Sequence, residues 1–514
     1  MNKIDPTLSI PAFFAGRSIF ITGSTGFMGK ILVEKLLRSC PDIREIFLLL
    51  RPKKGMSIDD RLRKMISQQP FTKLKEEKPE VFDKLIPVVG DTTKEGLGLP
   101  DMERRVLIDR VSIIYHNAAS VRFDDSLKAA IFTNTRSARD MCILAAQMKK
   151  LVAFVHVSTT YCQADKPVVE EKMYQADVDW KKAIKIVETV DENVLKALTP
   201  KFIGNFPNTY TFSKRLAEQV ISDYSHVFPC VVFRPSIVIS TISEPIRGWL
   251  DNFNGPVGML IGGGKGILRT AFGNAQLIAD YIPVDVAIKA MIITTWKRGI
   301  TTITRDPSIH VYNCSSADMK CISLDDLKSC ALVIHEDVPL EGVLWAPRTL
   351  YTQSEIVYFI NVLLFHLLPA LIVDTILIFS NRKPMLTKLQ RKVYIANKAL
   401  AYFLINAWQF NNTNLLKLTT EIPPADRDTF KFEYADMDVR EYFKYCLLGA
   451  KKFLLNEDIE NLEPAKKHLQ RMIWIDRAFQ VLLALFLMLI SYQYGFISYI
   501  FHIFDKLMNV FIIS

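Results

Sequence analysis

Short, nearly continuous apolar runs alternate with helical stretches over roughly the first 300 residues. RSIFITG predicts a strand, MGKILVEKLLRSC a helix and EIFLLLR a second strand, and later runs of the strand type are KLIPVVGD, VSIIYHNA, VAFVHVST and CVVFRPS. Runs without hydrophobic–polar alternation are typical of parallel strands buried on both faces, with helices as the crossovers. The pattern therefore predicts an α/β fold with a doubly wound parallel sheet.

The pattern changes at about residue 350, where glycines and strand runs thin out and helical patterns rich in Leu, Phe, Lys and Asn take over. This change divides the chain into an α/β domain, a connecting segment, a mainly α-helical C-terminal domain and a transmembrane segment. Their predicted bounds are 1–300, 301–350, 351–470 and 478–504.

The transmembrane prediction rests on a stretch that begins at Ala478 and contains no Asp, Glu, Lys or Arg before Asp505. A helix needs about 20 apolar residues to cross a bilayer. Only Lys506 follows the stretch, whereas four cations precede it: Lys466, Lys467, Arg471 and Arg477. This bias predicts a cytosolic N-terminal side. A buried terminal helix is the alternative.

A second apolar stretch, Ile356–Phe379, is interrupted by His366, Pro369 and Asp374 and is followed by Arg382 and Lys383. If it also crossed the membrane, the region up to the C-terminal span would lie on the far side. The basic residues at both ends of that region argue against such a crossing. We therefore favour a buried segment or a monotopic insertion for this stretch.

Composition supports membrane association, because 49% of residues are apolar and the mean hydropathy is +0.15. The net charge of +10 is dispersed without a long single-sign run, which disfavours nucleic-acid binding and favours an anionic membrane surface or substrate. The eight cysteines form no CxxC pair, and the spacing of His310, Cys314 and Cys321 matches no usual zinc pattern. No secretory signal is evident, so we expect free thiols and a catalytic part that faces the cytosol.

A glycine turn, TGSTGFMG, follows the first strand and opens the first long helix. Its three glycines, Gly23, Gly26 and Gly29, let the backbone approach a pyrophosphate, and the helix N-terminus favours negative charge. Any strand-to-helix turn can contain glycines, but here both flanking elements are predicted. We therefore predict a Rossmann-like dinucleotide site that also includes Ser24, Thr25, Phe27 and Met28.

The end of the second strand indicates which nicotinamide cofactor binds. NAD-preferring sites usually place an acidic residue there, whereas this chain has Arg51, followed by Lys53 and Lys54. Cations suit a 2′-phosphate, so we predict NADPH; a solvated basic loop is the alternative. By placement, Asp91 would accept from the adenine amine. Asn117 and Ala118 would lie where the fourth strand meets the cofactor.

Tyr210 and Lys214 form a Y-x-x-x-K pair on one face of a predicted helix. An ammonium near a phenol would lower the pKa of the phenol, and the tyrosine could then protonate a carbonyl oxygen as hydride reaches carbon. A snorkelling surface lysine is the usual alternative. The strand VAFVHVSTTY supplies hydroxyls at the carboxyl edge of the sheet, where ligands of such sheets bind. Thr159 is the preferred hydroxyl and Ser158 the alternate.

These motifs resemble the extended short-chain dehydrogenase/reductases, and longer strings resemble the alcohol-forming fatty acyl-CoA reductases with a male-sterility-type catalytic domain. The strings are ITGSTGFMGKILVEKLLRSCP, NAASVRFDDSLKAAIFTN, HVSTTYCQAD, FRPSIV, GWLDNFNGPVGML and GGKGILRT. In the C-terminal region the resemblance continues through VYNCSS, FKFEYADMDVREY and YCLLGAKKFLLNED. It covers nearly the whole chain.

The resemblance implies reduction of a long-chain acyl-CoA to a primary alcohol with two NADPH, through a bound aldehyde and with release of CoA. Tyr210, Lys214 and Thr159 would serve both reductions. It also implies a membrane-associated enzyme of the peroxisome or endoplasmic reticulum. The chain departs from the family at Thr160, where a small residue is common, and in its unusually apolar tail. No SKL-type peroxisomal signal is present, so the organelle stays open.

Three alternatives share parts of this pattern. A membrane-bound steroid dehydrogenase or a sugar-nucleotide epimerase would have the glycine turn and the Tyr–Lys pair, but neither is expected to have GWLDNFNGP or the second helical domain. A catalytically silent NADPH-binding membrane regulator would not need Tyr210, Lys214 and the hydroxyls. Acyl chain length and oligomeric state do not follow from the sequence.

Overall fold

The computed structural model of the protein describes residues 5, 7–53, 55–303 and 308–493. The predicted cofactor-site neighbour Lys54 lies outside the described residues. So does the second part of the predicted transmembrane segment, from residue 494 onward.

A seven-stranded, all-parallel sheet forms the centre of the molecule, as predicted. The strands in chain order are β1 (Ser18–Thr22), β2 (Glu45–Leu50), β3 (Leu85–Val89), β4 (Val111–His116), β5 (Ala153–Val157), β6 (Val168–Val169), β7 (Cys230–Pro235), β8 (Ile237–Ile239), β9 (Thr270–Phe272), β10 (Ile278–Ala279), β11 (Tyr281–Pro283), β12 (His310–Cys314), β13 (Ile322–Ser323), β14 (Leu350–Thr352) and β15 (Gln409–Phe410). The central order is β12-β7-β5-β4-β1-β2-β3, so the strand order reverses between β1 and β4. Ligands of open α/β sheets bind at such a point.

Helices lie on both faces of this sheet and make up most of the C-terminal region. They are α1 (Ile10–Phe14), α2 (Phe27–Ser39), α3 (Ile58–Ile66), α4 (Thr72–Glu77), α5 (Asp101–Arg110), α6 (Leu127–Ala130), α7 (Ser137–Ala145), α8 (Trp180–Thr189), α9 (Glu192–Ile203), α10 (Thr209–Tyr224), α11 (Pro256–Gly264), α12 (Val284–Ile303), α13 (Leu324–Asp337), α14 (Glu355–Val362), α15 (Leu368–Phe379), α16 (Leu386–Ile405), α17 (Thr413–Glu421), α18 (Arg427–Phe430), α19 (Val439–Ala450) and α20 (Glu463–Gln493).

The two faces of the sheet bury separate cores. On one face Ile19 and Ile21 of β1 pack with residues of α2 and α12, and on the other Phe20 packs with residues of α7 and α10. Successive side chains of a strand point to opposite faces, so a strand buried on both faces has to be apolar throughout. This requirement explains the continuous apolar runs in the sequence.

The sheet extends beyond residue 300, because its edge strand β12 lies in the stretch treated above as a connecting segment. The C-terminal helical region also packs back on the preceding α/β part of the chain. Its strand β15 pairs in parallel with β6, and the Tyr442 hydroxyl donates to the Ser240 carbonyl at 2.6 Å. The proposed division at residues 300, 350 and 470 stays a prediction.

Two helical stretches, Glu355–Phe379 and Glu463–Ser491, are long and apolar enough to cross a membrane by length and composition. The first is formed by α14, a π-helical turn (Leu363–Leu367) and α15, and most of its large apolar side chains are exposed. Burial inside the protein, one of the two predictions for this stretch, is therefore wrong. The apolar half of α20 is likewise exposed as far as it is described.

Candidate active site

The glycine turn connects β1 to α2 as predicted, and it packs against the end of β4. Gly23 has a φ of +72°, and a Cβ there would lie 2.8 Å from the Ala118 nitrogen. A Cβ on Gly29 would overlap the Gly23 carbonyl. The Thr22 hydroxyl accepts hydrogen bonds from the amides of Asn117 and Ala118 at 3.1 and 3.0 Å, which fixes β4 beside the turn. Only glycine therefore fits at positions 23 and 29.

The turn has the properties of a pyrophosphate cradle. Helix α2 begins directly after it, so its free amides and dipole favour an anion there. Within the described residues, the Ser24 hydroxyl is buried and has no hydrogen-bond partner. An unpaired buried hydroxyl is costly unless a ligand satisfies it. The residues present therefore fit a dinucleotide cofactor.

Two arginines lie beside the turn. The Arg61 guanidinium of α3 donates to the carbonyl of Arg51 and approaches the Thr25 hydroxyl at 3.4 Å. Burial, and to a lesser extent the charge of Arg51, lower the pKa of Arg61. In the described part of the chain neither guanidinium pairs with a carboxylate. Two unneutralised cations this close favour a bound anion.

Asp91 follows β3 at the same edge of the sheet. Its Oδ1 accepts from the amide and the hydroxyl of Thr93 at 2.9 and 2.8 Å, so this oxygen closes a local turn. The carboxylate is half-buried. Its predicted contact with an adenine amine therefore depends on the other oxygen and stays a prediction.

Helix α10 carries Tyr210 and Lys214 to the carboxyl edge of β5. Asn208 caps the helix by accepting from the Thr211 amide at 2.9 Å. Lys214 is buried, and its Nζ donates to the Val157 carbonyl at 2.7 Å. Burial lowers the pKa of Lys214 to about 8. The amine that the sequence places on a buried helical face is therefore held at the end of β5.

Thr159 lies within hydrogen-bonding reach of the Tyr210 hydroxyl. Burial, followed by the nearby Cys162 thiol, raises the pKa of Tyr210, and the contact with Thr159 opposes this rise. The expected lowering of this pKa by Lys214 is therefore not found. The physical reason is that the phenol is desolvated while the Lys214 amine is directed to a carbonyl. Tyr210 is thus kept protonated.

Ser158 faces a different group. Its hydroxyl donates to the Cys162 sulfur at 3.6 Å, and Cys162 in turn contacts Glu218 at 3.1 Å. Glu218 forms a fully buried ion pair with Arg234, at 2.7 and 2.8 Å. Ser158 therefore joins a buried ionic network behind α10, and Thr159 is the hydroxyl beside Tyr210.

A small apolar pocket of about 50 Å³ lies between the sheet edge and the C-terminal helical region. Aromatic rings connect it to Tyr210: the ring centre of Phe403 of α16 is 5.3 Å from those of both Tyr161 and Phe123, and the ring centre of Phe123 is 5.9 Å from that of Tyr210. The pocket is lined by Tyr161, Ile237, Gly255, Met259, Leu277, Ile278, Ala279, Asp280, Tyr281, Leu400, Phe403, Leu404, Trp408 and Phe410. Its one carboxyl group, Asp280, has a pKa raised to about 6 by burial.

Comparison with known proteins identifies the family. Models described as male sterility protein match residues 21–291 and 365–457. Fatty acyl-CoA reductase 1 of Xenopus laevis is 37% identical over 476 residues, which cover 93% of this chain and 92% of that protein. Fatty acyl-CoA reductase 1 of Homo sapiens is 35% identical over 478 residues, with the same two coverages. The chain belongs to the fatty acyl-CoA reductase family.

Solved structures support the fold of this family member. The terminal R domain from the myxalamid PKS-NRPS pathway has a TM-score of 0.55 and 16% identity, and the match covers 86% of this chain and 92% of that domain. The reductase domain of a nonribosomal peptide synthetase from Mycobacterium tuberculosis has a TM-score of 0.54 and 20% identity, with coverages of 88% and 96%. At these identities the likeness shows the fold alone.

The sequence did not predict three residues that lie at the site of this fatty acyl-CoA reductase family member. Arg61 reaches the site only because α3 folds back against the glycine turn. Phe403 comes from a helix almost 200 positions after Tyr210. Asn134 lies in a π-helical turn (Ile131–Arg136), where its side chain binds both the amide of Ser120 and the hydroxyl of Ser213 at 2.9 Å. π-turns are frequent at functional sites, but no sequence signal marked this one.

Proposed function

We propose that this fatty acyl-CoA reductase family member reduces a long-chain acyl-CoA to a primary alcohol with two molecules of NADPH. The observation that carries the proposal is the juxtaposition of Tyr210 and Thr159, within hydrogen-bonding reach, with a glycine cradle on one side and an aromatic-walled apolar pocket on the other. The cradle suits the dinucleotide, and the apolar and aromatic lining of the pocket suits the part of an acyl chain next to its carbonyl. The names of the relatives support the same substrate class.

When bound, the nicotinamide supplies one hydride to the carbonyl carbon in each of two reductions. Tyr210 donates its proton to the carbonyl oxygen, and Thr159 holds the same oxygen by a hydrogen bond. In the first reduction the tetrahedral product loses CoA as the thiol and leaves the aldehyde. In the second the protonated oxygen becomes the alcohol hydroxyl. Tyr210 is protonated before each transfer, because burial keeps the pKa of its phenol above the ordinary value.

Lys214 is the second site residue of α10. Its ammonium is held by the Val157 carbonyl on the same helical face as Tyr210, where it would support the proton transfer by fixing the cofactor rather than by lowering the pKa of Tyr210. We infer that the same group contacts the nicotinamide ribose. Asn134 acts as a positioning residue, because it joins the loop after Ala118 to α10 immediately before Lys214.

The preference for NADPH over NADH is supported by Arg51 and Arg61. A 2′-phosphate would place an anion beside two cations that have no carboxylate partner in the described residues. Arg61→Ser should raise the KM for NADPH by about tenfold or more while leaving that for NADH within about twofold, since one charge-assisted hydrogen bond contributes roughly 1.5–3 kcal/mol. Equal effects on both cofactors would contradict the assignment.

We further propose that the enzyme is bound to the peroxisomal or endoplasmic reticulum membrane through its C-terminal segment, with the catalytic part in the cytosol. Support comes from the exposed apolar side chains of α20 and from the cations that precede them, including Lys466, Lys467 and Arg471. Protease protection in cells with a permeabilised plasma membrane and intact organelles tests the orientation. A catalytic part that resists protease until the organelle is opened would contradict it.

The reaction is tested with membranes that contain the full chain, palmitoyl-CoA or stearoyl-CoA, and NADPH. Fatty alcohol, released CoA and two oxidised NADPH per alcohol are expected. Tyr210→Phe should abolish the alcohol while NADPH binding stays nearly unchanged. Binding of NADPH without any alcohol in the unaltered protein would favour a regulator, and reduction of a sterol ketone instead would favour a steroid dehydrogenase.

A further inference from the structure

The apolar segment, Glu355–Phe379, runs over the surface of the protein with large apolar side chains directed outward. Among the most exposed are Ile356, Phe359, Leu364, Ile372, Ile376 and Phe379. Exposed apolar side chains recur along both α14 and α15 and cover most of the circumference of these helices. So many exposed apolar side chains on one segment of a folded protein mark an interaction site.

The polar side chains of the apolar segment point the other way, into the protein. His366 accepts at Nε2 from the amides of Arg269 and Thr270, both at 3.1 Å. Asp374 accepts from three amides at the start of α16, at 2.8–2.9 Å, and from the Thr387 hydroxyl. Both side chains are buried. The two residues that interrupt the apolar pattern therefore hold the segment against the protein and fix which face is outward.

Both ends of the apolar segment lie on the same side of any membrane. Upstream, β14 pairs with β9. Downstream, α16 returns to the catalytic part, where the Tyr402 hydroxyl donates to the Ala164 carbonyl at 3.2 Å, and β15 then pairs with β6. A crossing would separate α16 from these partners. The segment can therefore enter a bilayer only from one face.

We propose that the apolar segment is a monotopic membrane-binding element whose outward face is buried in the bilayer leaflet next to the catalytic part. Exposed cations follow it directly: Arg382, Lys383, Lys388, Arg391, Lys392 and Lys398. None of them pairs with a carboxylate within the described chain. An apolar face beside unpaired cations matches an acyl layer beneath anionic headgroups.

The second apolar helix, α20, is anchored beside the apolar segment. The Arg269 guanidinium stands over the rings of Trp345 and Phe365, at 4.9 and 5.1 Å, and lies 4.0 Å from Asp476 of α20. Trp345 also donates to Asp476. One bilayer can therefore receive both elements. A second copy of the chain fits this surface less well than a bilayer does. A protein partner covers only one side of a helix, and a symmetric contact would bring the same six cations of both copies face to face.

The apolar segment also adjoins the pocket. Helix α16 carries Asn397, whose Oδ1 accepts from the Phe272 amide of β9 at 3.1 Å, and one turn later Leu400 and Phe403, which line the pocket. Phe272 itself contacts Tyr358 of the segment at 5.7 Å. The membrane-binding element and the pocket are thus connected through a single helix. The proposal concerns binding to lipid alone and is independent of the proposed reaction.

The test places a fluorescent nitrobenzoxadiazole label on Ile372→Cys in the full chain, reconstituted into mixed phosphatidylcholine and phosphatidylserine vesicles. Cys321 and Cys330, the native cysteines that are not buried, are first replaced by serine. Met102→Cys, on the exposed face of α5, is the matched control. The label at 372 should be quenched by spin-labelled lipid and protected from aqueous iodide, and the label at 102 should behave in the opposite way. Equal iodide quenching at both positions would overturn the proposal.

Two further outcomes would also overturn it. In one, the label at position 372 is protected from iodide but is not quenched by spin-labelled lipid. If this protection is lost when the protein is diluted in lipid, a second copy of the chain covers the segment. Cysteines placed at Gln353 and Lys383 should both react with an impermeant maleimide from the outside of the vesicle in the same fraction of molecules. Reaction of only one of them would indicate a crossing. Retained NADPH binding shows that each variant is folded.

Discussion

Hydroxyl groups on two consecutive residues, Ser158 and Thr159, lie on opposite sides of the end of β5. Sequence alone left both as candidates, because a strand end can present either side chain to the site. In the structure Thr159 is within reach of the Tyr210 hydroxyl, and Ser158 contacts Cys162 and the Glu218–Arg234 pair. The two residues therefore have separate chemical environments that mutagenesis can distinguish.

We expect Thr159→Val to lower kcat by about 100-fold or more, since a positioned hydrogen-bonding group at a reacting oxygen contributes roughly 2.7–4 kcal/mol. The substitution conserves shape and removes the hydroxyl. Ser158→Ala should leave kcat within about threefold, because its hydroxyl contacts the buried Cys162–Glu218 network and not the reacting oxygen. Single-turnover reduction of a long-chain aldehyde at saturating NADPH measures both. A larger loss in Ser158→Ala than in Thr159→Val would contradict the assignment.

The charge of Lys214 predicts a pH dependence. Burial holds its pKa at about 8, below the usual 10.5, so the ammonium is lost as the pH rises through about 8. If the ammonium supports the proton transfer, kcat/KM for NADPH should decline above about pH 8, since this ratio reports the groups of the free enzyme. Lys214→Arg should lower the rate but move the decline beyond pH 10, because an arginine stays charged there. An unchanged decline in that variant would assign it to another group.

At the scale of elements, α16 is where the C-terminal region meets the catalytic site. One face of this helix carries Leu400, Phe403 and Leu404 into the pocket, whereas Ile395 is exposed. Phe403 lines the pocket, and its ring centre lies 5.3 Å from that of Phe123, which in turn lies next to Tyr210. Its side chain therefore stands between the pocket and Tyr210.

We predict that Phe403→Ala shifts the product spectrum toward longer or branched acyl chains, because removal of the ring enlarges the pocket. The variant should also lose some stability, but less than the roughly 3–5 kcal/mol typical of a fully buried phenylalanine, because Phe403 is half-buried. Ile395→Ala, on the exposed side of the same helix, should change neither property. Product profiles from a mixture of acyl-CoA substrates measure the shift. The same spectrum in Phe403→Ala and in the unaltered protein would exclude the pocket as the acyl site.

Which elements the sequence revealed depends on how local their cause is. The glycine turn and α10 were predicted because their signals, the spaced glycines and the spacing of Tyr210 and Lys214, lie within a few residues of the element. Strand β12 was missed because HVYNC mixes polar and apolar residues at the sheet edge. Arg61 and Phe403 could not be predicted, because their roles arise only when distant segments meet. The polar side chains His366 and Asp374 were seen as interruptions, and only packing shows that they are anchors.

At the scale of the whole molecule, the helical C-terminal region and the sheet share buried polar contacts. The Glu171 carboxylate accepts from the amides of Asn313 and Leu415, both at 3.1 Å. Lys35 donates to the Thr429 carbonyl at 2.7 Å, and Asn412 to the Ser315 carbonyl at 3.1 Å. If one region unfolded alone, polar groups of the other region would lose their hydrogen-bond partners. The two regions should therefore unfold together.

Cooperative unfolding predicts how a ligand of the sheet affects the entire chain. NADPH at about 100 times its Kd should add about 2.7 kcal/mol to the free energy of unfolding, which corresponds to a rise in Tm of a few degrees for a chain of this size. Tryptophan fluorescence reports both regions, since Trp249 belongs to the core beside α2 and Trp408 to the C-terminal region. Heating the detergent-solubilised full chain should give one transition that NADPH moves as a whole, and Gly29→Ala, whose Cβ overlaps the Gly23 carbonyl, should remove the shift. Two transitions, of which NADPH moves only one, would show that the regions are energetically separate despite their shared contacts.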